Sequence, residues 1–117
     1  MDVWFALHAD IQGAYKASPA NTGLIERIWQ FAAWCFEPGR HKSVRNAAAV
    51  AFYEHLPHVG PARRELPRRL DRRAFLELLP AFRSTLADPE YEAFVKEFLT
   101  AQGADRETVK AALADAT

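Results

Sequence analysis

The stretch DRRAFLELLPAFRSTLADPEYEAFVKEFL, residues 71–99, decides the fold. Phe75, Leu78, Leu79, Phe82 and Leu86 recur at helical spacing. After Asp88-Pro89-Glu90 the pattern restarts with Tyr91, Phe94, Val95, Phe98 and Leu99. Steps of three and four residues stack side chains on one face of an α-helix, whereas a half-buried strand would alternate. Asp71 reads as an N-cap. Asp88 reads as a second cap, followed by a first-turn proline and an acid favoured by the helix dipole. Pro80 falls inside the first pattern, where its missing N–H and its ring predict a kink or short break.

The same period extends in both directions. Gly103 ends the second helix of this pair, and Asp105 caps a last, weaker one with only Val109, Ala112 and Leu113 to bury. Upstream, Pro57 to Pro67 holds three prolines and a glycine and reads as irregular, or as one short turn. Before it a helix is predicted over Ser43 to Leu56, with Val44, Ala48, Ala51 and Phe52 facing inward. Glu37-Pro38-Gly39-Arg40 separates it from a strongly apolar helix that ends at Phe36. That helix starts at Ser18-Pro19, or at Asn21 or Thr22, and carries Phe31 and Cys35 on its stripes. A first helix from Asp2 to Tyr15 or Lys16 places Trp4, Leu7, Ile11 and Tyr15 on one face. The expectation is an all-α chain and a single domain over 1–117, with five to six helices in successive antiparallel hairpins. A compact bundle and a short HEAT-like stack of helix pairs both satisfy the pattern.

Composition narrows the class. With 117 residues, 50% of them hydrophobic, the chain can bury a sizeable core, and disorder is excluded. No run approaches about 18 apolar residues, so no membrane span is expected. The first ten residues lack a signal-peptide pattern, and the single cysteine, Cys35, forms no internal disulfide. Both point to the cytoplasm.

A net charge of zero conceals an uneven distribution. Residues 1–37 hold two basic and four acidic groups, residues 38–76 nine and three, and residues 77–117 four and eight. A basic belt therefore lies between acidic ends. Within it Arg63, Arg64, Arg68, Arg69, Arg72 and Arg73 form three doublets in eleven residues. Guanidinium groups at this density suit carboxylates or phosphates, so an acidic protein partner and nucleic acid are both candidates. A merely solvated loop, paired with the chain's own acids, is the plain alternative. A pI near 6.9 and the lack of a base-stacking motif favour the protein partner over nucleic acid.

The remaining chemistry is sparse. His41, His55, His58 and Cys35 lack the ligand spacing of a zinc site, so no metal is expected. Cys35 lies in FAAWCF, where a thiol packs as a small hydrophobe. Glu54, His55 and His58 are the one acid–base group an enzyme could use. Neighbouring helix positions point about 100° apart, however, so Glu54 and His55 are not expected to converge. No phosphate-binding glycine loop occurs, and no cofactor is expected. Phe5, Trp34 and Tyr53 lie off the principal stripes, either buried by several-sided packing or serving as partner anchors.

Trp34-Cys35, NAAAVAFYEHL (residues 46–56), Leu70 and the 75–86 helix together resemble a family of small, uncharacterised bacterial cytoplasmic proteins. The resemblance runs from Val3 to Phe98. It implies an all-α, HEAT-like fold without enzyme activity, and some relatives look like immunity partners of bacterial toxins. It carries no site residues. The reading from sequence is thus a non-catalytic protein-interaction module, of immunity type, with a nucleic-acid-associated protein as the alternative.

Overall fold

Phe75, Phe82, Phe94 and Phe98 are fully buried and touch ring to ring, with Phe82 edge-on to Phe94 at 5.0 Å. Two helices therefore lock together along the stripes of residues 71–99. The computed structural model describes residues 3–115, apart from the side chains of residues 3, 5 and 115. The role considered for Phe5 lies outside the described side chains.

Among the described residues there are seven α-helices, one or two more than predicted: α1 Val3–Lys16, α2 Thr22–Phe36, α3 Lys42–Ala51, α4 Gly60–Arg69, α5 Arg72–Thr85, α6 Asp88–Ala101 and α7 Arg106–Asp115. A 3-10 helix, Tyr53–His58, joins α3 to α4, and no strand occurs among the described residues. One hydrophobic cluster runs from Ile11 in α1 to Ala112 in α7. The radius of gyration is 14.1 Å, close to the roughly 13 Å of a compact chain this long. Extents of 39 × 35 × 24 Å describe a compact globule.

The caps explain most boundaries. Asn21, Asp71 and Asp105 each accept a backbone N–H three residues on, from Leu24, Ala74 and Thr108. Asp88 is not a cap: α6 is capped by Ala87, and the Asp88 carboxylate turns to Arg83, 3.4 Å away.

Three predicted elements differ from the structure, and proline chemistry accounts for the first two. The helix predicted over Ser43–Leu56 stops at Ala51, because Pro57 cannot complete an α-turn. The tighter turn that replaces it leaves the Glu54 carbonyl without the N–H that Pro57 lacks, and the Thr85 hydroxyl donates to that oxygen at 2.8 Å. The stretch Pro57–Pro67, expected to be irregular, contains α4. Pro61 sits in its first turn, where no N–H is needed, and Val59, Ala62, Leu66 and Leu70 form a buried stripe. Pro67 lies near its end, where the Gln102 amide donates to the carbonyls of Pro67 and Leu70. Pro80 produces no break: α5 is continuous from Arg72 to Thr85.

Of the residues predicted for the core, Cys35, Ala48, Phe52, Phe75, Phe82, Phe94 and Phe98 are buried. Phe31 is not. It is 42% exposed and stacks on Trp4 at 5.5 Å, because the core side of α2 is taken by Ile25, Ile28, Trp29 and Ala32. Tyr53 is buried, whereas Trp34 stands half exposed with the Arg40 guanidinium 3.7 Å over its ring.

Candidate interaction surface

Helix α4 and the start of α5 carry all six arginines of the doublets, and the folded chain sorts them into two kinds. Arg63 and Arg69 turn toward neighbouring helices. Arg63 donates to Glu97 on α6 at 2.7 Å and lies over the Phe94 ring. Arg69, with only 16% of its side chain exposed, pairs with Glu26 on α2 and Glu65 on α4 and lies over Trp29. Burial works against its charge, but the two carboxylates outweigh it and raise its pKa above the ordinary arginine value.

Arg69 belongs to a network that joins α1, α2 and α4. Trp29 donates to the Tyr15 hydroxyl at 2.8 Å, and Tyr15 donates to Glu65, which also holds Arg68 and Arg69. Burial, followed by the Glu65 hydrogen bond, pushes the Tyr15 pKa up to about 12. Two acidic groups distant in sequence, Glu26 and Glu97, thus neutralise the inward arginines.

Four arginines remain on the outside. Arg68 and Arg73 have side chains 72% and 74% exposed and reach only acids on their own helices, Glu65 and Glu77. Arg64 and Arg72 are exposed and, among the described residues, make no ion pair. Beside Arg72 and Arg73, Leu76 is 41% exposed, and with them and Glu77 it lines a shallow surface hollow. An apolar spot bordered by exposed arginines is a combination common at protein interfaces.

The acid–base group predicted around Glu54 is closer-knit than expected. His55 Nε2 lies 3.4 Å from Glu54 Oε1, the reach of the two side chains spanning the roughly 120° between neighbours in a 3-10 turn. His8 from α1 joins them, its ring 5.5 Å from that of His55; no local spacing in the sequence links it to this group. Burial, then the charges of His55 and His58, lower the His8 pKa. Ser84 is the nearest hydroxyl, 3.4 Å from Glu54 Oε2, yet its proton goes to the Ala81 carbonyl at 2.6 Å. Glu54 therefore stands between histidine and serine. A nucleophilic relay needs the histidine in that place, in contact with the hydroxyl it deprotonates.

Cys35 is buried in the core, with its thiol pKa raised by burial. Among the described residues no three His, Cys, Asp or Glu side chains are placed to share a metal ion, and no helix is long and apolar enough to cross a membrane.

Comparison with protein families, with curated proteins and with solved structures found no match to this chain.

Proposed function

We propose that this is a non-catalytic interaction module whose outward arginines, Arg64, Arg68, Arg72 and Arg73, dock an acidic protein partner. The observation that carries the reading is the sorting of the belt: Arg63 and Arg69 are consumed internally, while these four face solvent, Arg72 and Arg73 beside Leu76. Arginine forks suit carboxylates, and the exposed Leu76 beside Arg72 and Arg73 offers apolar contact that a phosphate backbone would not use. The immunity-type form, in which the module covers a toxin's active site, follows the family resemblance. Localisation in the cytoplasm belongs to the same proposal.

The test is capture from extracts of the source cell with the parent and with an Arg64/Arg68/Arg72/Arg73→Gln variant, after nuclease treatment. An acidic protein retained by the parent and depleted from the variant supports the proposal. Retention that vanishes with nuclease replaces it with the nucleic-acid reading.

A further inference from the structure

A cavity of about 550 Å³ opens between α5, α6 and α7, on the part of α5 beyond the arginine surface. Its walls are mainly carbon, from Leu76, Leu79, Pro80 and Ala112. Its polar groups converge from two helices. Tyr91 on α6 is 1% exposed, and its buried hydroxyl feels the Arg83 guanidinium but makes no hydrogen bond of ordinary geometry among the described residues. Arg83 on α5 lies over the Tyr91 ring, 5.1 Å from its centre. A buried hydroxyl without such a bond is rare in folded proteins and marks a place where a ligand atom or water completes the structure.

Arg83 is available to such a ligand. Among the described residues its ion pair is with Asp88, long at 3.4 Å, and the Asp88 side chain is 79% exposed, so solvent weakens the hold. Four of the five guanidinium protons stay free of it. The Glu54 carboxylate also lies near this end of α5, 3.4 Å from Ser84 Oγ, and is paired with His55. Burial pushes the Tyr91 pKa up, against the pull of Arg83, so the phenol stays a neutral donor at physiological pH.

We propose that this cavity binds a small amphipathic carboxylate, with its acyl or aryl-alkyl body against Leu76, Leu79, Pro80 and Ala112 and its carboxylate shared by Arg83 and the Tyr91 hydroxyl. The size falls within the range of small-molecule sites, and an apolar wall with a few converging polar groups is their usual composition. Only Leu76 is shared with the arginine surface, so the two sites are tested independently.

The test is a nuclear magnetic resonance titration of the full chain with octanoate and, separately, 1-octanol, which has the same body without the charge. Octanoate should give saturable shifts at Leu79, Tyr91 and Ala112 and bind about tenfold tighter than the alcohol. Arg83→Gln should remove that preference, and Tyr91→Phe should weaken octanoate several-fold. The site is overturned if octanoate gives no saturable shift at these residues, or binds no better than octanol. It is equally overturned if either folded variant binds octanoate as tightly as the parent. Should a variant fail to fold, the octanoate–octanol comparison on the parent decides alone.

Discussion

Arg69 donates a hydrogen bond to Glu26 across 43 positions of sequence, tying α4 to α2 over the face of Trp29. This one contact divides the basic belt into a structural part and a free part. It also reverses a prediction that charge counting alone would make, that all the doublets are equivalent surface charge.

Arg69→Gln should therefore destabilise the fold. The change leaves Glu65, itself largely buried, without one of its cations and opens the packing on Trp29. A loss of about 2–3 kcal/mol is expected, between the values for exposed and fully buried pairs. Arg68→Gln, two-thirds or more in solvent, should stay within about 0.5 kcal/mol. Urea unfolding of the two variants checks both, and equal stabilities would contradict the division.

Phe82 and Phe31 supply a second contrast. Phe82 is fully buried among aromatic rings, and Phe82→Ala should lose about 3–5 kcal/mol through lost burial and a residual cavity. Phe31→Ala removes a half-exposed ring stacked on Trp4 and should lose about 1 kcal/mol. Similar losses at both positions would place Phe31 in the core after all.

The contact between Thr85 and the Glu54 carbonyl predicts that Thr85→Val, nearly equal in shape, loses about 1–2 kcal/mol. The main effect should be loosening of the 3-10 helix. Hydrogen exchange at residues 53–59 should speed up in the variant, and unchanged exchange there would show that the carbonyl finds another donor.

His8 gives the fold a pH dependence of definite sign. Its folded pKa lies below the ordinary 6.5, so the unfolded chain binds more protons between the two values. The stability it contributes is complete above pH 6.5 and is lost as pH falls through the folded pKa. His55 and His58 face the His8 ring as like charges, and Glu54 beside His55 opposes them; among the described residues Gln12 is the ring's hydrogen-bond partner. The melting temperature should fall between about pH 7 and pH 5, and less steeply in His8→Gln. Parallel profiles would remove His8 from the account.

The all-helical class was legible because apolar spacing and capping residues are local, and the stripes of residues 71–99 packed as the spacing implied. Helix α4 was hidden by its composition: three prolines near it and four arginines within it obscured the stripe from Val59 to Leu70. Phe31 was misplaced because α2 is apolar on several sides, and only the neighbouring helices decide which side faces the core. The arginine cluster was evident in sequence, but its division into inward and outward members depends on Glu26 and Glu97, contributed by other helices. His8 and the Arg83–Tyr91 cavity depend in the same way on contacts between helices.

Charge-driven docking is the central claim, and the association rate of the captured partner tests it most directly. The parent and the Arg64/Arg68/Arg72/Arg73→Gln variant are compared by stopped-flow mixing at low and high salt. The account predicts association about tenfold slower for the variant at low salt, with the gap closing as salt is raised and with dissociation less affected. Equal association rates at low salt, in a variant that keeps the parent's helical signal and melting temperature, would contradict it.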